Sequence, residues 1–334
     1  MNSVNVQVQF FQRLKSQLPP HIAMVDEVAE LLSISNDSAY RRIRGEKPID
    51  LEELHKLCVH FKISMDQLLH LQSNAFIFNG NLNDFASNNF ENYLDNVKQQ
   101  LLVINSFEQK HIYFLLKDIP YFYHFQIPEL AAFKFFFWMK SILHNENLKG
   151  TRFNQNDPQY DNYHKTAKEI INLYNKIPVT EIWNAEILNS TLRQIDFYHE
   201  AGSFNSNEDV IRMYEKVTQL VNHIERQAEL GVKFNLGAEP TANSAPYRLF
   251  VNELILGDNT FMAELDTNKI TFLNHSVLYF VATSDERFNH AMYDNMQNLM
   301  KKSTMISTVG EKERVRFFNR LRKDIQVRIN ALRQ

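Results

Sequence analysis

Apolar residues recur at spacings of three and four along most of this chain. The period predicts helices over residues 88–106, 107–118, 128–146, 159–176, 178–200 and 206–230. In the last of these, Val210, Met213, Val217, Leu220, Val221 and Ile224 line one face of an amphipathic helix. Pro120, Pro128, Pro158 and Pro178 break the pattern between segments, and Gly45, Gly80, Gly150, Gly202, Gly231, Gly257 and Gly310 fall at the joints. The texture changes between residues 246 and 283. There YRLFVNELIL, NTFMAEL and KITFL are short, rich in β-branched and aromatic residues, and separated by turn-forming Asp, Asn, Gly and Thr. These runs predict a small antiparallel β meander, and HSVLYFVATS either continues it or begins the next helix. Helical periodicity resumes over 285–302 and 311–334. The expected fold is mainly α, a large helical body with that meander.

The N-terminal fifth has a finer pattern. VQVQFFQRLKSQL is a helix stopped by Pro19 and Pro20. Residues 25–50 predict two short helices joined by a tight turn. Ala29 is the small residue at which the second helix can cross the first, with Val28 and Leu32 as apolar partners. Ile34 lies in the turn, and Ala39 and Ile43 give the second helix its buried stripe. Ser35 is placed to cap that helix, Asp37 suits its dipole, Gly45 ends it and Pro48 keeps it from resuming. DLEELHKLCVHFK follows, with Asp50 and Glu53 in capping-box spacing. In SMDQLLHL, Ser64 and Gln67 repeat that spacing.

At about 100° per residue, Asp37, Ser38, Arg41 and Arg44 lie opposite the Ala39–Ile43 stripe, with Tyr40 and Arg42 on the shoulders. In a DNA major groove Arg41 can pair with a guanine edge. Ser38 and Asn36 can reach bases or phosphates, and Arg42, Arg44 and Lys47 can neutralise phosphates. The candidate DNA-binding set is Ser35, Asn36, Asp37, Ser38, Tyr40, Arg41, Arg42, Arg44 and Lys47. The competing reading is a solvated helix with an arginine cluster.

On these residues the stretch from about 5 to 72 resembles a lambda-repressor-like helix-turn-helix domain of bacterial regulators. Its core, VAELLSISNDSAYRRIRGEKPI, is similar to the BetR-type subset. The resemblance implies a compact five-helix domain, for which the sequence supplies five candidates. Ser33 departs from it, standing where a glycine usually starts the turn. Residues 1–72 also lack a positive balance, with eight Lys+Arg against nine Asp+Glu. Affinity would then rest on a local patch and on dimerisation.

The chain's 334 residues suffice for two domains, expected as a helix-turn-helix domain over 1–72, a linker over 73–87 and a helical body over 88–334. A net charge of −3 argues against a general nucleic-acid coat. One cysteine, Cys58, excludes an internal disulfide and reads as a small core residue. No apolar signal segment follows Met1, and the most apolar stretch, LAAFKFFFWMKSIL, is short and holds Lys134 and Lys140. We therefore expect a cytoplasmic protein with no membrane span. Residues 107–138 carry 12 of the 41 aromatic side chains, which suits a core reached from two sides, a subunit interface or a small-molecule pocket. The segment 311–334 holds eight Lys+Arg against three Asp+Glu around an apolar stripe of Phe318, Leu321, Ile325, Ile329 and Leu332. Such a helix can dock on the body, pair with its copy or contact DNA.

No HExxH, CxxC, phosphate-cradling glycine loop or GxSxG occurs, and the 12 histidines lack metal-ligand spacing. No catalytic residue, metal or cofactor is expected. Two functions stay open. One is a DNA-binding transcriptional regulator, a homodimer whose body leaves room for sensing a small-molecule or protein effector. The other is a protein-interaction module that keeps the helix-turn-helix fold without binding DNA.

Overall fold

The computed structural model describes residues 5–19, 22–63, 76–80, 90–254 and 259–334. SMDQLLHL, and all of the expected linker except 76–80, lie outside the described residues. Among the described residues four helices belong to the N-terminal unit: α1 (Val6–Gln17), α2 (Met24–Leu32), α3 (Asn36–Ile43) and α4 (Leu51–Phe61). Their apolar faces close on a small core of Phe10, Phe11, Leu14, Val28, Ala39 and Leu57, with Ala29 where α2 and α3 meet. Cys58 packs half-buried against this core, and burial pushes its thiol pKa up.

The rest is built around a sheet. In chain order the elements are α5 (Phe90–Ser106), β1 (Lys110–Leu115), α6 (Tyr121–His124), α7 (Pro128–Phe137), α8 (Asp161–Tyr174), β2 (Val179–Trp183), α9 (Asn189–Glu200) and α10 (Asn207–Leu230). Then come β3 (Tyr247–Val251), β4 (Thr260–Leu265), β5 (Asn268–Asn274), β6 (Phe280–Thr283), α11 (Glu286–Lys301), β7 (Thr304–Met305) and α12 (Glu311–Leu332). The strands join in the order β6-β5-β4-β1-β2-β3-β7. β1, β2 and β3 run parallel, while β4, β5, β6 and β7 pair antiparallel with their neighbours.

This corrects the expectation of a helical body with a small meander. The meander exists in β4–β5–β6, and HSVLYFVATS continues it, but it is one wing of a seven-stranded mixed sheet. Residues 107–118 and the start of 178–200, read as helix, supply the central strands β1 and β2, and β3 pairs with β2 instead of β4. For β2 the reason is burial on both faces. All five residues of VTEIW in β2 are buried, so the two-residue alternation that marks a strand is absent.

One face of the sheet packs on a core shared with α5, α7, α8, α9, α10 and α12, and the other is covered by α11 through Leu299 and Met300. The aromatic run is core. In α7 every residue from Leu130 to Phe136 is buried, and the helix runs on into a π turn over Trp138–Ile142. Phe135 meets Phe90 of α5 and Tyr163 of α8, while Phe136 meets Phe153 and Tyr198 of α9. Helical rotation scatters these rings, and neighbours on several sides receive them.

Glu181 of β2 points into that core and is fully buried. Its Oε1 accepts from the hydroxyls of Tyr123 (3.0 Å) and Tyr174 (2.9 Å), and its Oε2 from Trp183 Nε1 (2.7 Å) and the Tyr247 hydroxyl (3.1 Å). Four donors on separate elements thus converge on one carboxylate. Two imidazoles are held neutral nearby in the fold. Burial pushes His223, bonded to the Phe234 carbonyl, down to about 4. It does the same to His111, bonded to Thr180, also to about 4. A depressed folded pKa gives stability that is complete above the unfolded value near 6.5 and is lost as pH falls towards 4. The unfolding free energy from urea titration should therefore drop between pH 6.5 and 5 by about 1–2 kcal/mol per imidazole. A flat profile over that window would mean that both rings protonate in the fold.

Several described side chains join the unit to the body. Arg13 Nη2 donates to the Ser284 carbonyl at 2.9 Å and lies 3.7 Å from Glu286, and Asn268 Nδ2 donates to the Ser16 carbonyl at 2.7 Å. Residues 76–80 run beside β6. Asn79 and Ala282 exchange two backbone hydrogen bonds of 2.7 Å, and Phe76 and Phe78 set their rings against Phe288.

Candidate nucleic-acid interface

The turn between α2 and α3 is reached through Ser33, which adopts φ 54° and ψ 46°. Its left-handed backbone lets Ile34 N reach the Ala29 carbonyl at 2.9 Å and closes α2. A side chain in this region costs about 1–2 kcal/mol, against about 0.4–1 kcal/mol for the extra freedom that glycine has when unfolded. Ser33→Gly should therefore stabilise the unit by about 0.5–1 kcal/mol, read as a higher melting temperature. A lower one would show that the serine hydroxyl matters more than its backbone.

Ser35 caps α3 by accepting from Ser38 N at 3.3 Å. At the other end Gly45 N bonds the Arg42 carbonyl (3.0 Å) and Glu46 N the Arg41 carbonyl (2.8 Å), the paired closure of a Schellman motif. Gly45 has φ +76°, a backbone that favours glycine, and a Cβ there would also have to displace the Asn5 amide, 2.7 Å away. Gln7 of α1 then holds the exit. Its Nε2 donates to the carbonyls of Arg42 and Lys47, each at 2.7 Å, and its Oε1 accepts from Ile49 N at 3.0 Å.

The expected site residues separate into two groups. Asp37, Tyr40, Arg41, Arg44 and Lys47 are exposed, as are Ser35 and Asn36 at the helix start, where Asn36 Nδ2 also donates to Asp26 at 2.9 Å. Arg41 and Arg44 flank Glu46 at 4.0 and 3.5 Å, and the Arg44 guanidinium lies 5.9 Å from the Tyr40 ring. Exposed pairs of this kind contribute about 0–1 kcal/mol, so exchanging Glu46 for a phosphate costs little.

Arg42 is placed differently from the expectation of a phosphate contact on the helix shoulder. It is 5 % exposed, and its Nε and Nη2 grip the Glu53 carboxylate at 3.0 and 2.5 Å. Its Nη1 holds Ser38 Oγ at 2.8 Å, drawing that hydroxyl partly inward. The guanidinium holds the Glu53 carboxyl below its usual range, and the carboxylate raises the arginine in turn. Glu53 also closes the capping box with Asp50. Arg42 therefore positions α3 against α4, and the outward cations are Arg41, Arg44 and Lys47. Gln7 and Glu53 were missed as partners of the site. Glu53 had a signal in its capping-box spacing, whereas Gln7 had none.

The basic terminal helix and the aromatic run do not add to this surface as free apolar faces. Phe317, Phe318, Leu321, Ile325 and Ile329 of α12 are buried within the chain. Among the described residues no helix is long and apolar enough to cross a membrane, and no group of three or more His, Cys, Asp or Glu could hold a metal ion.

Residues 10–82 match the family described as BetR domain, a helix-turn-helix family. No curated protein matches the chain. No solved structure matches it either.

Proposed function

We propose that this chain, with its BetR-type helix-turn-helix, is a sequence-specific DNA-binding transcriptional regulator whose α3 reads the major groove. The observation that carries the reading is the outward face of α3. Arg41 stands exposed there on a helix fixed at its start by Ser35 and at its end by Gly45 and Gln7, with exposed Arg44 at its C-cap and Lys47 just beyond. Arg41 reads a base edge by paired hydrogen bonds, Arg44 and Lys47 take phosphates, and Asn36 and Tyr40 border the contact. Dimerisation belongs to the reading on an affinity argument alone. One small domain makes few phosphate contacts, and two linked copies multiply their binding. The surfaces first expected to supply it, residues 135–138 and the stripe of α12, are spent inside the chain. The body would carry the sensing of an effector.

Selection of bound fragments from genomic DNA tests the main step. The wild type should enrich a defined sequence. Arg41→Ala should weaken binding to it by about 1–3 kcal/mol and relax preference at one base pair. An unaltered site profile for the variant would remove Arg41 from base reading.

A protein-interaction role for the same unit is favoured by one observation. Leu51 and Val59, about two turns apart on α4 with exposed His55 between them, are 82 % and 64 % exposed. Under that reading no sequence would be enriched, and Leu51 and Val59 would govern partner capture instead.

A further inference from the structure

The segment 311–334 carries eight cations, and the structure sorts them by the direction they face. Four turn towards the body. Arg314 donates to the carbonyls of Ile306 and Val309 at 3.1 and 3.3 Å. Arg322 pairs with Glu225 at 2.5 Å, Arg328 with Asp196 at 3.0 Å and Arg333 with Glu215 at 3.5 Å. The other four, Lys312, Arg316, Arg320 and Lys323, are exposed. Among the described residues none of these four makes an ion pair or a side-chain hydrogen bond. At about 100° per residue, Lys312, Arg316 and Lys323 fall within about 40° of one another, opposite buried Leu321, with Arg320 on the shoulder.

The other polar positions within about 60° of the middle of that trio are Asn319, Gln326 and Asn330, and the nearest carboxylates, Glu313 and Asp324, lie beyond Arg320 on the shoulder. The acids of α10 nearest in chemistry, Glu215 and Glu225, are already matched by inward arginines, and Glu229 is held by Arg226. A surface meant only for solubility mixes both signs, as the ion-paired faces of α10 do. The concentration is local, because the whole chain has a net charge of −3.

We propose that the outward face of α12 is a second DNA contact, gripping the phosphate backbone of a duplex without reading its sequence. The choice of duplex as occupant rests on the regulator reading above. Lys312 to Lys323 spans about 16 Å, along which one strand passes about five phosphates at about 3.4 Å of axis each. The amide side chains of Asn319, between the cations, and of Gln326 and Asn330, beyond them, hydrogen-bond phosphate and sugar oxygens. Backbone contacts of this kind supply affinity that the small face of α3 lacks.

The test is titration of the full chain with a random-sequence 30-base-pair duplex over a range of KCl, by fluorescence anisotropy. It compares wild type, Arg41→Ala and the quadruple variant Lys312→Gln, Arg316→Gln, Arg320→Gln and Lys323→Gln. All four sites are solvent-facing, so an unchanged melting temperature should accompany the variant. The expected result is a salt slope shallower by about 3–4 in the quadruple variant, with random-duplex affinity at 100 mM KCl down at least about tenfold. Arg41→Ala should leave that slope within about one of wild type. An unaltered slope in the quadruple variant overturns the proposal while leaving sequence enrichment by α3 intact. Enrichment failure with a slope still dependent on the four cations would sink the α3 reading and keep the backbone contact. No affinity of the wild type for random duplex overturns the proposal and turns the face towards an acidic protein.

Discussion

Glu53→Ala is expected to unfold the helix-turn-helix unit and abolish DNA binding while the body stays folded. The substitution leaves the Arg42 guanidinium 5 % exposed with only Ser38 as partner. Breaking one side of a buried ion pair costs about 3–5 kcal/mol, because the remaining charge is still desolvated. The loss of the reciprocal capping-box bond adds to this. A unit whose core is a handful of side chains such as Phe10, Phe11, Leu14, Val28 and Leu57 has little more stability than that to lose. Its hydrophobic cluster is separate from that of the body, so the damage should stay local. Amide hydrogen exchange gives the readout: α2 and α3 should approach unprotected rates while β1 and β2 keep their protection. Retention of protection in α3 to within about tenfold, about 1.4 kcal/mol, would mean that the pair is not the keystone described here. A double replacement, Arg42→Met with Glu53→Leu, separates charge from packing. It should restore most of the protection, since an apolar pair of similar volume tolerates the site that a lone cation does not.

The body has its own point of failure in Glu181. Glu181→Ala would strand the hydroxyls of Tyr123, Tyr174 and Tyr247 and the indole N–H of Trp183, all on fully buried rings. Each orphaned donor costs about 1–3 kcal/mol, so the sum threatens the whole fold even after some hydroxyls find substitutes. The indole has no second choice, because it can only donate. Glu181→Gln keeps the shape and one acceptor oxygen, yet turns an NH2 towards two donors, and should cost about 1–3 kcal/mol. Urea unfolding followed by the fluorescence of the two buried tryptophans, Trp138 and Trp183, gives the readout. The ranking expected is wild type, then glutamine, then alanine, and equal midpoints for all three would refute the network's role.

The sequence announced its helices where one face is wet. α10 and α12 meet solvent on one side and the core on the other, so their apolar residues keep helical spacing. α3 and α4 are short, but Ser35, Gly45 and Asp50 punctuate them with side-chain and backbone chemistry that acts within a few residues. What stayed hidden depends on distant partners. β2 has no wet side, and the carboxylate at its centre is intelligible only once Tyr123, Tyr174 and Tyr247 surround it. Arg42 shows the same limit within the site. Rotation about α3 correctly puts its Cα on a shoulder, but the long side chain bends towards α4, which a single-helix projection omits. Ser33 was the reverse case, a departure from the family pattern that the backbone absorbs in a left-handed conformation.

The pairing of Asn79 with Ala282 also bears on how the chain guards itself against its own copies. A strand at the end of a sheet offers unused amide and carbonyl groups that can template association with another molecule. At the far end of this sheet β7 is only two residues long, which leaves little to template. At the near end the chain spends residues 76–80 on β6, with Phe76 and Phe78 sealing the flank against Phe288. The tether that holds the helix-turn-helix unit near the body is thus also a selvedge that keeps the sheet from fraying into aggregates. A fragment cut to begin at Phe90 would lose both services at once, baring the β6 edge as it gives up the helix-turn-helix unit.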